Sequence, residues 1–241
     1  MPLHPDHHDT SSEETSPPRW LIVGERWVGY AAALSVLVLL GLTFLWVPNE
    51  RVMGAVQRIF YFHVGSAIAC YVAFGAAFLT GTRYLIKNTI LDDCLNEACG
   101  EVGFLFCTIT LSSGMIWGHA AWNTWFRWEP RLVTFLLLWM IFFTFVLVRS
   151  FGEVRFRASS GAILSILGSA TVPLVWLSIR LMPQSEQLHP QVVEHQGLRD
   201  YRFVVTFLVA QLALVLLMSW LCFVRARLGL LERKKLYGNN P

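Results

Sequence analysis

Six stretches of this 241-residue chain are long, apolar and almost free of charge: Trp27–Val47, Ile59–Thr82, Val102–Trp117, Leu132–Val148, Ala158–Ile179 and Phe203–Val224. A helix needs about 20 such residues to cross roughly 30 Å of hydrocarbon. The third and fourth reach that length with their flanks, as Ala98–Gly118 and Pro130–Arg149. With 55% hydrophobic and 15% charged residues, the chain lies far from a soluble average. The expected fold is all-α: a polytopic membrane protein of six transmembrane helices, with both termini on one side.

Lysine and arginine say which side. The N-terminal tail, the 83–97 and 149–157 loops and the C-terminal tail carry twelve; the opposite side carries seven. The stretch R-A-R-L-G-L-L-E-R-K-K near the C-terminus dominates that excess. Both termini are therefore expected in the cytoplasm of a bacterial inner membrane, with the 48–58, 118–130 and 181–201 segments in the periplasm. On this reading residues 1–26 form a disordered tail, 27–224 the membrane domain and 225–241 a basic tail. His4, His7 and His8 lie in the first tail and read as solvated. No signal peptide is seen, because the first apolar run starts late and is long enough to span. The five cysteines form no C-x-x-C. Cys70, Cys107 and Cys222 read as small buried hydrophobes, while Cys94 and Cys99 are expected in a loop on the reducing cytoplasmic side, where no disulfide is expected.

Between the third and fourth runs lies W-G-H-A-A-W-N-T-W-F-R-W-E-P-R, Trp117–Arg131, with four tryptophans in fifteen residues. It is too polar to span and too aromatic for an ordinary solvated loop. Tryptophan favours the headgroup level, half buried and with its N–H in reach of a partner. Read as a helix at about 100° per residue, Trp117, Trp122, Trp125 and Trp128 share an arc of about 140°, with His119, Asn123, Thr124 and Arg127 elsewhere. The segment is thus expected to be an amphipathic interfacial helix with one aromatic wall, facing either lipid or a flat apolar ligand. Pro130 suits the first turn of the next helix, and Glu129 would sit at its positive end as a cap or a binding residue. Arg127 and Arg131 either snorkel to lipid phosphates or grip a ligand carboxylate.

Outside the first tail, the four histidines His63, His119, His189 and His195 all fall on the outer side. A flat apolar ligand with two carboxylates and a central metal is haem, and neutral imidazole is its commonest nitrogen ligand. His63, one turn into the second helix, and His189, in the last outer loop, are placed to ligate iron from opposite faces. The alternative for each is a hydrogen-bonded structural histidine.

At these residues the chain resembles a known family. W-G-H-A-A-W-N-T-W-F-R-W-E-P-R-L-V-T, within 117–134, looks like the tryptophan-rich WWD signature of haem-handling proteins in cytochrome c assembly. Q-R-I-F-Y-F-H-V is similar to the first histidine motif of that family, and L-H-P to its second. Six helices in this length match the CcmC branch, haem exporter protein C, over roughly residues 27 to 224. The resemblance implies that His63 and His189 are axial ligands of a transiently bound haem b. It implies that Trp117, Gly118, Trp122, Trp125, Trp128, Glu129 and Arg131 form the platform holding it. It further implies presentation to the periplasmic haem chaperone CcmE, beside the small membrane protein CcmD and the CcmA–CcmB ATPase. The chain departs from the family pattern at Glu129, where aspartate is usual, and at Gly65, where proline commonly stands. The last outer loop lacks the tryptophans often found before the second histidine, and His195 and His119 are further imidazoles near the site.

Two other classes are disfavoured. A bis-histidine b-type electron carrier would place ligands on both sides of the membrane. A permease would need ionisable groups at mid-membrane, where the spans offer little beyond Ser, Thr and Gln211. A single-chain cytochrome c synthase shares the signature but usually carries additional helices. The sequence shows no dedicated proton-transfer pair and assigns no catalytic residue.

Overall fold

The computed structural model describes residues 16–51, 53–178, 180 and 200–238. It is helical, with six helices long and apolar enough to cross a membrane. In chain order these are α1 (Arg19–Gly41), which runs on as a π-helical turn over Leu42–Trp46, α2 (Ile59–Lys87), α3 (Ile90–Trp122) and α4 (Pro130–Phe151). Then come α5 (Val154–Ala170), extended by the short α6 (Val172–Ser178) into one span, and α7 (Tyr201–Gly238).

Local chemistry sets the helix ends. Asn88 and Asn123 hold left-handed backbone, φ 53° and 54°, and close α2 and α3; asparagine tolerates that conformation better than most residues. Thr89 caps α3 by accepting from the Asp92 N–H at 3.1 Å, and Asp92 and Asp93 occupy its positive first turn. Pro130 opens α4, where its missing N–H costs nothing.

Small residues let the central helices close in. A Cβ on Gly103 of α3 would lie 2.5 Å from the Phe74 ring of α2, and Phe74 stacks on Phe142 of α4 at 3.5 Å between centroids. Without a hydrophobic drive between helices in lipid, such close packing and interhelical hydrogen bonds hold a bundle together. Asn96, fully buried, supplies both: its amide donates to the Ala77 carbonyl and to Ser165 Oγ, each at 2.8 Å, joining α2, α3 and α5.

The 83–97 loop expected from the charges is absent. α2 and α3 are separated by two residues, and Cys94 and Cys99 are buried on α3. The acids of this stretch stay helical because arginines neutralise them. Arg149, whose side chain is 0% exposed, holds Asp93 and Glu97 at 2.7 Å each. Arg225 holds Glu101 at 2.6 Å and Glu97 at 3.2 Å, and Arg233 holds Asp93 at 2.6 Å. Three helices are thereby tied at one end of the bundle. The same pairing keeps α7 helical through the basic stretch. Likewise α1 begins ahead of Trp27: Leu21 is buried against α3 and α7, and Glu25 meets Arg227 at 2.7 Å. The described ends of the chain meet here, with Lys234 donating to Ser16.

Candidate functional site

At the opposite end α2, α3, the 123–129 connection and α4 surround a cavity of about 110 Å³. His63 of α2 enters it almost completely buried. Its Nδ1 lies 3.1 Å from the Thr110 carbonyl and 3.1 Å from Ser113 Oγ, both on α3. A carbonyl only accepts, so Nδ1 carries the proton of the neutral ring, and Nε2 is then the nitrogen with a lone pair that can accept a hydrogen bond or ligate a metal. Gly114 makes room for this ring: a Cβ there would sit 2.9 Å from His63 Cε1.

Trp117 is 2% exposed and packs against Phe60 at 6.1 Å, His63 at 5.9 Å and Trp122 at 5.4 Å. It forms the inner wall. Trp122, half buried, continues that wall toward the mouth. Gly118 has a packing reason to be glycine. The chain folds back on it, and a Cβ there would meet the Thr124 carbonyl at 3.0 Å. Arg131, on the first turn of α4, and Tyr71 of α2 bring polar groups to a largely apolar lining that Phe135 completes.

The interfacial helix expected over Trp117–Trp128 is not formed. α3 stops at Trp122, the connection from Asn123 to Glu129 is non-helical, and only Trp117 and Trp122 share a helix. The cause is local. Asn123 turns left-handed with its N–H on the His119 carbonyl, and the residue before a proline avoids helical backbone, as Glu129 does at ψ 148°. The four tryptophans thus grade outward: Trp125 is 56% exposed and lines the mouth, while Trp128 is 79% exposed and lies outside the lining. Trp125 stacks on His119 at 4.1 Å, which keeps that imidazole outside the lining as well. Glu129 lines the cavity, 3% exposed, with Arg127 3.7 Å away. It occupies the N-cap position of α4 through its backbone, with no side-chain cap bond.

His63, Trp117, Gly118, Trp122, Trp125, Glu129 and Arg131 are therefore brought together, and Trp128 is not. His189 and His195 lie outside the described residues. Thr110, Ser113, Gly114, Tyr71 and Phe135 escaped the sequence reading. Thr110, Gly114 and Trp117 recur at the four- and three-residue spacing of one helix face, a signal hidden inside an apolar run. Among the described residues no three His, Cys, Asp or Glu side chains cluster to hold a bare metal ion. One imidazole, an arginine and aromatic walls instead suit an iron already held by a flat macrocycle.

The family profile described as Heme exporter protein C matches residues 13–238. Relatives carrying that name include one from Bradyrhizobium diazoefficiens, 26% identical over 224 residues, 91% of this chain and 84% of the relative. A Haemophilus influenzae protein is 25% identical over 205 residues, 83% of each chain. An Escherichia coli K12 protein is 28% identical over 173 residues, 68% of each chain.

Proposed function

Because the chain belongs to the heme exporter protein C family, CcmC, we propose that it binds haem b transiently, as cargo, in the cavity beside His63 and presents it for cytochrome c maturation. The observation that carries this reading is the His63 ring. It is nearly buried, with Nδ1 committed to Thr110 and Ser113, in a lining of Trp117, Trp122 and Phe135. Ligating histidines commonly have their other nitrogen held in this way, which fixes the tautomer and raises the basicity of the ligand.

His63 would be one axial ligand and His189 the other. Trp117 and Trp122 would supply apolar and stacking contact, and Arg131 would pair with a propionate. The cavity is small beside the roughly 300–1,000 Å³ of sites that enclose a ligand. A porphyrin held there would keep an edge outside, which suits handing it on. Trp125, exposed at the mouth, and Trp128, exposed outside the lining, would meet the receiving protein. On this reading the recipient is the haem chaperone CcmE, with CcmD and the CcmA–CcmB ATPase as further partners. The site would face the periplasm and both termini the cytoplasm of the inner membrane.

The test is the absorption spectrum of the purified protein, alone and with His63, His119, His189 or His195 changed to alanine. The expected result is a Soret band in the parent that is lost or displaced in His63→Ala and His189→Ala and kept in the other two. A parent protein that never carries or takes up haem, or a His63→Ala variant with the parent's spectrum, would remove the proposal.

A further inference from the structure

A second, larger hollow lies at the other end of the bundle, between α1 and α7. It is a groove of about 700 Å³. Its α1 side extends from Ile22 to Leu37, about 22 Å at 1.5 Å per residue, which exceeds half of a roughly 30 Å hydrocarbon core. Its composition is graded. The end nearest the termini holds Glu25, Arg26 and Arg227, and the far end holds Val36, Leu37 and Leu217.

Two polar groups in it have no hydrogen-bond or ion-pair partner among the described residues. Arg26 is exposed and, unlike Arg227, has no ion pair or hydrogen bond among the described residues. Trp220 lies in the groove wall, and its indole N–H has no acceptor among the described residues. Gly29 brings α1 onto that indole: a Cβ there would sit 2.8 Å from Trp220 Nε1. Arg26 lies three residues from Gly29, so the guanidinium and the indole N–H belong to levels about one helical turn, roughly 5 Å, apart. Trp27 and Tyr30, 67% and 64% exposed, flank the charged end as an interfacial aromatic belt does. Arg19 stands two turns before Arg26 on the same side of α1, so among the described residues it adds a cation beside the groove's own Arg26, Arg227 and Glu25.

We infer that this groove is a binding site for an anionic phospholipid of the leaflet at the arginine-rich end. The Arg26 guanidinium takes the phosphodiester, the Trp220 N–H takes an ester carbonyl one level deeper, and an acyl chain lies along Ala33, Val36 and Leu217. A phosphate above an ester above a hydrocarbon chain reproduces the vertical order of the groove. The surplus of arginine selects a headgroup without its own cation. The lipid would brace α1, the least buried span, with 17% of its most apolar window inside the bundle.

The test uses the full chain in mild detergent with an equimolar mixture of phosphatidylglycerol and phosphatidylcholine, read by native mass spectrometry. One phosphatidylglycerol per chain is expected to survive activation that strips phosphatidylcholine. Arg26→Gln and Trp220→Phe each remove one hydrogen bond, and each is expected to lower the retained fraction about fivefold to tenfold. Ala33→Phe fills the groove from an exposed position and should abolish retention without unfolding the bundle. Equal retention of the two lipids, or retention unchanged by all three variants, overturns the assignment. So does a groove found occupied by a single-span partner helix in the native membrane.

Discussion

Gly114→Ala is the sharpest perturbation of the proposed site, because it adds one methyl group and removes nothing. That methyl would lie 2.9 Å from His63 Cε1 and 3.5 Å from Nδ1. Carbon atoms in good contact sit about 3.5–4.0 Å apart, so the ring or the helix must yield by about 0.6 Å. The ring has little freedom to do so, since both Nδ1 contacts are already 3.1 Å long. A shift of that size stretches at least one of them beyond hydrogen-bonding range, at about 1 kcal/mol. Overpacking adds about 1–3 kcal/mol, shared between the fold and the ring position. If about 1.5–3 kcal/mol of this falls on the liganded state, haem affinity drops roughly 10- to 100-fold. The assay is a haemin titration of the detergent-solubilised protein at the Soret band, with a melting curve of the unliganded protein beside it. Gly75→Ala is the control: it lies on the same helix as His63, and a Cβ there meets nothing within 4 Å. It should leave haem binding alone and raise stability by about 0.5–1 kcal/mol. Parent-like affinity and spectrum in Gly114→Ala would show that the His63 ring does not bear on the iron, whatever His63→Ala does.

Four further perturbations separate architecture from site. Arg149→Met leaves Asp93 and Glu97 with only the more exposed Arg225 and Arg233, and should cost about 3 kcal/mol in a reversible unfolding titration. Trp117→Ala opens the best-buried aromatic contact of the cavity and should cost about 3–5 kcal/mol. Trp128→Ala should alter stability by no more than about 0.5 kcal/mol, leave haem uptake unchanged and slow transfer to the chaperone in a reconstituted assay. Asn96→Leu removes both donations to Ala77 and Ser165; a loss of about 1–3 kcal/mol without change in the haem spectrum is expected.

The spans were legible because an apolar run long enough to cross lipid has few alternatives to a helix. Their ends were not, because charge was read as exposure. Asp93, Glu97 and Glu101 mark a loop only if nothing neutralises them, and their partners Arg149, Arg225 and Arg233 lie roughly 50 to 140 positions later in the chain. The tryptophans and His63 stood out by composition. The helical projection failed beyond Trp122 because the positive φ of Asn123 and the extended backbone before Pro130 are local events that a periodic pattern averages away. Thr110 acts through its carbonyl and Gly114 through a missing side chain, so neither leaves any trace in a search for ligating residue types.

The two sides of the cavity are built differently, and that bears on how a ligand larger than the present space would enter. One side is helix. His63 is fixed by Thr110 and Ser113, Gly114 sits against the ring, and Trp117 is wedged among Phe60, His63 and Trp122. Its parent helix α3 is tied at its far end by buried ion pairs to α4 and α7. The other side is the 123–129 connection, whose contacts with α3 include a 3.5 Å Thr124–Gly118 backbone contact and the Trp125–His119 stack at 4.1 Å between centroids. A long backbone contact and a half-exposed aromatic pair contribute about 1 kcal/mol each. Opening on that side breaks contacts of this kind, whereas opening between α2 and α3 would expose packed aromatic rings and break both Nδ1 bonds. The connection bearing Trp125 and Phe126 is therefore the side that yields, and the imidazole the side that stays.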